Sequence, residues 1–412
     1  MSAASSRRRG PRVGVAAGLV AVALTISGCQ VTEHGLGGVG AAGGTAAAAP
    51  AVPSPTATPA QVTLVPANRS TNVKPDAAVT ATASVGTIKS ATLVDGQGSK
   101  VPGTVGASGE WKASTRLRPG AAYTMTVTAT SPDGTPATFV SKFSTLKPKV
   151  TATYSLIADG ATVGVGMPII VQFDSIVTTT AQRAAVERSV KLTSSPAQPG
   201  AWGWLDGRQL MYRPKTYWRP GTKIALNANL VGLQTGDGKW VGSSAKGTWN
   251  VGSAMISTVD MRTHQMTVTR NGRVLHTFPV STGRPGPTTE TRYGTKVIIS
   301  RESAITMDST TIGIPKGKPG YYKIDTKWNM RLTWTGEFVH SAPWSTGAQG
   351  VANVSHGCTN MAPSSAQWMY ENSKVGDVVK FTGSTRPFLP TEGYGIWTYS
   401  WSGWKAQSAL AA

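Results

Sequence analysis

Between residues 62 and 146 apolar and polar positions alternate in short runs closed by turn signals. Residues 79–85 (VTATASV), 123–129 (YTMTVTA) and 139–143 (FVSKF) have a period of two, interrupted at Asp95-Gly96, Ser108-Gly109 and Pro132-Asp133-Gly134. Successive side chains of a strand point to opposite faces, so this period predicts half-buried strands. Several of them at such spacing predict a β-sandwich of immunoglobulin-like type. The pattern returns between 150 and 251, in 169–173 (IIVQF), 209–212 (QLMY) and 223–228 (KIALNA). A local echo supports duplication: Arg118-Pro-Gly120 precedes one strand and Arg219-Pro-Gly221 another, with Trp111 and Tyr212 each seven residues upstream of the arginine. Residues 181–190 (AQRAAVERSV) predict one or two helical turns.

From residue 253 the character changes. Residues 261–270 and 273–280 flank Asn271-Gly272, the signal of a type I′ hairpin. Strands are expected at 296–300 and 336–340, and residues 363–370 read as a helix with Pro363 in its first turn, closely following Cys358. The chain is therefore expected to be all-β and multidomain, with segments 61–148, 149–251 and 252–382 and a Trp-rich subdomain at 383–412. Trp397, Tyr399, Trp401 and Trp404 of that last segment offer a sugar-stacking platform. Because Trp buries a large area, packing onto the 252–382 domain is preferred. On this division residues 61–250 should be separable from the chemistry, so that a chain begun near Ser253 folds alone.

The first 29 residues read as an address. Arg7, Arg8, Arg9 and Arg12 precede an apolar run from 13 to 26. That run is shorter than the roughly 20 residues a bilayer needs, and it suits a signal peptide. Residues 24–29 (LTISGC) resemble a bacterial lipobox with Cys29 as the lipidated residue; a plain signal peptide with an incidental Cys is the alternative. Residues 30–60, rich in Gly, Ala and Pro, read as a flexible tether. An exported protein is expected, lipid-anchored at the outer face of the cell membrane.

At 412 residues, two to four domains are expected, and 40% hydrophobic content excludes wholesale disorder. The net charge of +21 suggests a nucleic-acid binder, but the excess is spread along the chain: +3 over 1–60, +5 over 61–148, +6 over 149–250 and +7 over 251–412. No basic stripe is concentrated as duplex binding requires, so no nucleic-acid partner is expected; a diffuse field suits an anionic surface or polymer. Only two cysteines are present, Cys29 and Cys358. If the first is acylated, Cys358 is a lone thiol in an oxidising compartment, either deeply buried or used.

Its neighbours favour use. Residues 338–344 (FVHSAPW) and 355–360 (SHGCTN) supply His340, His356, Gly357 and Asn360 around the thiol. A cysteine nucleophile needs a base to take its proton and backbone donors for the oxyanion that forms. Gly357 lets the backbone turn sharply, and the N-terminus of the following helix could favour a thiolate. A merely packed Cys/His pair is the bland reading. A zinc site would need more ligands than His264 and His276 on a hairpin with no second Cys, so neither metal nor cofactor is expected. Proximity favours His356 as the base. His340, at a strand end beside Ser341, is preferred, because a residue two positions away across a glycine turn usually points elsewhere.

His340-Ser341, then fifteen residues later Ser355-His356-Gly357-Cys358 with Asn360, resembles the signature of L,D-transpeptidases with a YkuD-type catalytic domain. The resemblance is longest with the mycobacterial, lipoprotein-like type and spans the mature chain, including 339–345 and 347–350. It implies two immunoglobulin-like sandwiches followed by a mainly-β catalytic domain with a short helix after the catalytic Cys. It implies Cys358 as nucleophile and His340 as general base, oriented by the Ser341 backbone; His356 braces the loop, and N–H groups of His356, Gly357 and Cys358 frame the oxyanion. Met307 and Tyr322 match a lid over the donor site, Thr335 and Gly336 the strand along which the substrate lies, and Trp344 and Asn360 further substrate contacts. Thr359 departs from the family's usual branched aliphatic. The implied reaction is peptidoglycan 3→3 cross-linking: a donor tetrapeptide stem loses D-Ala to form a Cys thioester, and an acceptor diamino-acid amine resolves it. Carbapenems would acylate the same thiol. The alternatives are an L,D-carboxypeptidase, a transpeptidase with a protein acceptor, and a wall-binding adhesin with an inert catalytic domain.

Overall fold

The computed structural model describes residues 58–411. The segments expected to be a signal peptide with Cys29 and nearly all of the expected tether lie outside the described residues. The first sandwich pairs one sheet of strands Gln61–Val65, Thr80–Val85, Trp111–Ala113 and Gly103–Val105 with a second of Lys100–Val101, Thr87–Asp95, Ala122–Thr130 and Pro136–Ser144. The alternation acts as its period requires: Tyr123, Met125, Val127 and Ala129 are buried against Trp111, Leu117 and Phe143, and the intervening threonines point outward. The second sandwich has two four-stranded sheets around Phe173, Trp218 and Trp249, and a helix, Thr180–Arg188, closed by a Thr179/Gln182 capping box. The duplicated turns are equivalent, since the N–H groups of Gly120 and Gly221 bond the carbonyls of Leu146 and Val251.

The catalytic portion is two packed sheets. One has the order Arg273–Pro279, Gln265–Arg270, Met255–Asp260, Val378–Thr382, Gly294–Val297; the other runs Ser300–Asp308, Lys323–Arg331, Phe338–Ser341, Thr359–Met361. Methionines 255, 261, 266, 330, 361 and 369 fill much of the space between them. The last two strands of the second sheet are parallel and set His340 beside Asn360.

Three expectations are corrected. The strand expected at 296–300 is two strands in different sheets. The chain crosses at Ile298, whose N–H bonds Asp377 O, and Ile299, whose N–H bonds Arg331 O. The strand before His340 begins at Phe338, and Thr335 and Gly336 form the turn ahead of it. The Trp-rich segment divides: residues 387–394 pack on the 252–382 portion, as expected, with Phe388 N–H on Tyr293 O, whereas the aromatics from Trp397 to Trp404 pack on the second sandwich. Trp404 is fully buried with its Nε1 on Ala201 O at 3.0 Å, and Trp397 Nε1 bonds Gly166 O at 2.8 Å. Arg213 lies over the rings of Trp397, Trp401 and Trp404. Buried Glu187 accepts from Trp204 Nε1 at 2.8 Å, Ser408 Oγ at 2.5 Å and Ala409 N at 2.6 Å. The sandwich offers the cation and carboxylate that the tail's rings and N–H groups need. The resulting apolar cluster also takes in Val297, Ile299 and Val378, so the second sandwich and the catalytic sheets share one core. That continuity counts against a catalytic portion folding without residues 149–251.

Candidate active site

His340 is 3% exposed in the strand Phe338–Ser341, and its Nδ1 lies 2.8 Å from the Ser341 carbonyl oxygen. A carbonyl only accepts, so Nδ1 carries the proton and Nε2 holds the lone pair. Burial lowers the His340 pKa to about 4, opposed by the Ser341 carbonyl and the Asn360 side chain. Asn360 is itself fixed, donating from Nδ2 to Ser345 Oγ at 3.0 Å. His356 is arranged oppositely. Its Nε2 lies 3.1 Å from Arg284 Nη2, and a guanidinium only donates, so the lone pair of His356 is spent on Arg284. Desolvation and that guanidinium hold its pKa low. His340 is therefore the imidazole with a free acceptor facing the cavity.

Cys358 lies just ahead of the strand Thr359–Met361 and is 8% exposed. Its Sγ donates to the Gly336 carbonyl at 3.5 Å. Burial pushes the thiol up to about 12, against a smaller downward pull from the Phe338 backbone N–H. The thiolate expected from the neighbouring helix is thus not the resting form; a strand separates that helix, Pro363–Asn372, from the cysteine. Gly336 has φ +94°, and a Cβ there would meet Ile312 Cγ2 at 2.7 Å, so this turn must be glycine for the lid to lie over it.

The oxyanion frame is smaller than expected. The Gly357 N–H is consumed by Ser355 Oγ at 3.1 Å, while that hydroxyl donates to Cys358 O at 2.6 Å. Gly357 itself, at φ +129°, has its carbonyl held by Thr291 Oγ1 at 2.8 Å. The N–H groups of His356 and Cys358 have no protein acceptor among the described residues, and these two remain to face an oxyanion.

One cavity of about 410 Å³ brings together Met307, Tyr322, His340, Trp344, His356, Cys358 and Asn360. Trp344 is 52% exposed at its rim, 6.0 Å from the His340 ring. Met307 packs with Phe338 and Cys358, and burial raises the Tyr322 hydroxyl to about 12. Above them the strands Ser300–Asp308 and Lys323–Arg331 project a loop, 309–322, closed at its neck by Ser309 N–H to Tyr322 O and Tyr322 N–H to Ser309 Oγ, each 3.0 Å. Thr335 and Gly336 line a second cavity, of about 590 Å³, on the other side of that loop. Ser341 and Gly357 line neither and act through the backbone. Among the described residues there is no metal-binding cluster and no helix long and apolar enough to cross a membrane.

Sequence reasoning missed the charges beneath the loop. Glu337 is buried, accepting from Arg292 Nη1 at 2.9 Å and from Lys296 Nζ at 2.5 Å, and Arg292 Nε reaches Glu392 at 2.8 Å. Lys296 is wholly buried under the Phe381 ring. Glu337 sits between Gly336 and Phe338, the two backbone contacts of the thiol, and its Cγ would be 3.5 Å from a Cβ on Gly357. The four residues are scattered over a hundred positions, and nothing local marks them.

Residues 254–381 match the family described as L,D-transpeptidase catalytic domain, and residues 70–234 the bacterial Ig domain, across parts of both sandwiches. The chain is 37% identical over 339 residues to L,D-transpeptidase 2 of Mycobacterium tuberculosis, covering 82% of each. The structure of LD transpeptidase LdtMt1 in complex with imipenem is 35% identical, covering 57% of this chain and 100% of that one, with a TM-score of 0.48. L,D-transpeptidase 3 from M. tuberculosis in complex with a faropenem-derived adduct is 31% identical, covering 57% and 98%, with a TM-score of 0.47.

Proposed function

Since the chain belongs to the L,D-transpeptidase family, we propose that it forms 3→3 cross-links in peptidoglycan through a thioester on Cys358. The observation that carries the reading is the pair in one cavity: the thiol of Cys358 and, at His340, an imidazole whose Nδ1 is tied to Ser341 O, which leaves Nε2 as the acceptor. The sulfur attacks the carbonyl on the L-centre of the diamino acid in a donor tetrapeptide while Nε2 takes its proton. The N–H groups of His356 and Cys358 meet the oxyanion. The tetrahedral intermediate collapses, the imidazolium returns the proton to the leaving amine, and D-Ala departs. The side-chain amine of a second stem then attacks the thioester, His340 takes its proton, and Cys358 is regenerated. A carbapenem presents a strained carbonyl to the same thiol and should form a stable adduct there.

Incubation of the protein with disaccharide-tetrapeptides, followed by chromatography and mass spectrometry of the muropeptides, tests the reading. Dimers one D-Ala lighter than the sum of two monomers, linked between diamino acids, are expected. Tripeptide monomers alone would make the enzyme a carboxypeptidase. The same reading places the protein at the outer face of the membrane through Cys29. Cys29→Ala should release it from the membrane fraction, and retention would refute the anchor.

A further inference from the structure

The two cavities that share His356 in their walls differ in charge. The 410 Å³ cavity has no Lys, Arg, Asp or Glu among its lining residues, whereas the 590 Å³ cavity is lined by Arg284, Arg292 and Arg386 with one acid, Glu337. Arg292 is balanced inside the buried network with Glu337, Lys296 and Glu392, which carries two charges of each sign. Arg284 and Arg386 are not balanced. Arg284 donates Nη2 to the neutral His356 ring, and Arg386 donates Nη1 to the carbonyls of Thr288 and Glu290 at 2.9 and 3.2 Å. Neutral acceptors fix the two guanidiniums in place, and neither forms a direct ion pair among the described residues. Arg386 senses Glu337, Glu392 and Glu290 without pairing with any of them; Glu337 and Glu392 are engaged by Arg292, and the Glu290 carboxylate is bonded to Thr385 Oγ1 at 3.1 Å. The remaining nitrogens of both arginines have no protein acceptor among the described residues.

The cavity reaches the reacting sulfur through Gly336, which lines it and whose carbonyl accepts from Cys358 Sγ at 3.5 Å. We propose that this basic cavity is a carboxylate subsite for the acyl donor, with Arg386 and Arg284 as the cationic walls that select a stem bearing a free carboxylate. The inference rests on the transpeptidase reading. The reacting ends of the two stems differ in charge as the cavities do. The donor brings the carboxylate of its terminal D-Ala beside the scissile bond, and the acceptor brings a side-chain amine that is an ammonium in water and is repelled by a wall of arginines. The neutral cavity, holding His340, is left for the amine. A guanidinium held rigidly by neutral partners presents its free edge to a carboxylate with little further ordering, and such charge-assisted pairs are the strong ones.

The test is calorimetric titration of the whole chain carrying Cys358→Ala, which binds without turnover. Three tetrapeptides are compared: one with all carboxylates free, one amidated at the terminal D-Ala, and one amidated at its internal carboxylates. The free peptide should bind at least about ten-fold more tightly than one of the amides, and which amide loses affinity identifies the carboxylate held. Arg386→Gln or Arg284→Gln should abolish that preference without weakening the amide. Equal affinity for all three peptides, or a preference that survives both arginine substitutions, overturns the proposal. The muropeptide assay on the wild-type chain is scored separately: preferential binding without cross-linked product would sink the transpeptidase reading and leave the subsite standing.

Discussion

Replacing His340 by Ala should slow acylation of Cys358 by about two to four orders of magnitude, the usual worth of a positioned general base. The size of the effect follows from the resting protonation states. Burial puts the thiol at about 12 and the imidazole at about 4. Both shifts act in the same sense, favouring the neutral thiol and neutral imidazole over a standing thiolate–imidazolium pair. The proton must therefore leave as the sulfur–carbon bond forms, and without Nε2 it has only water to go to. Carbapenem acylation followed by intact mass, from about pH 3 to about pH 9, measures this. Because the His340 pKa is lowered, the wild-type base is neutral above about 4, so the rate should climb through that pH and stay level across neutrality. The raised thiol adds no further climb below alkaline pH. His356→Ala should lose less and keep the same profile, because its lone pair is committed to Arg284. An acid limb centred between about 6 and 7, or a thiolate absorbance in the wild type at neutral pH that vanishes in Cys358→Ser, would refute the neutral resting pair.

Three further outcomes are expected. Glu337→Gln keeps the shape but strands Lys296, which is 0% exposed, without a counter-charge; thermal melts should show a loss of about 3–5 kcal/mol, largely restored by adding Lys296→Met. An unchanged melt in the single variant would remove the network from the stability of the site. Asp377 is buried, takes the Lys374 N–H on Oδ2 at 2.7 Å, and titrates near 7 in the folded chain, above its ordinary 3.8. The folded state then binds the proton more tightly than the unfolded one, so stability falls as pH rises from about 4 to about 7, by up to on the order of 4 kcal/mol. Asp377→Asn should gain on the wild type across that window in melts against pH, and a constant difference would contradict the assignment. Trp404→Ala should cost about 3–5 kcal/mol and still give one urea transition for second sandwich and catalytic sheets together. Two separated transitions in the wild type would show that the core is not shared.

Local rules made part of this molecule legible in its sequence. Period-two alternation marks 122–130 as a half-buried strand because one face meets water, and Asn271-Gly272 announces its hairpin because both residues take the positive φ the turn requires. His340 and Cys358 stand out because a lone thiol among Gly, His and Ser has few structural uses. What escaped is long-range. Crossing between sheets at Ile298 and Ile299 interrupts no apolar pattern, since both residues are buried on either side of it. The neighbour of Trp397, Trp401 and Trp404 was not legible because tryptophans say only that they need burial. Arg213 and Glu187, which receive them, look like surface charges until the fold encloses them. The Glu337 network was invisible for the same reason, and the use of Gly357 N–H by Ser355 depends on a turn geometry that no spacing encodes.

The orienting partner of His340 is a main-chain carbonyl, that of Ser341. Where a carboxylate side chain does this work, one codon change removes it; here every amino acid at position 341 supplies the same oxygen. Saturation mutagenesis should accordingly find position 341 limited only by volume, tolerant of Ala, Gly and Cys because the site is buried. Positions 340 and 358 should accept nothing. Under drug selection, escape from an acylating inhibitor cannot come from deleting the group that aims the base, and substitutions should accumulate in the lid loop and the cavity walls instead.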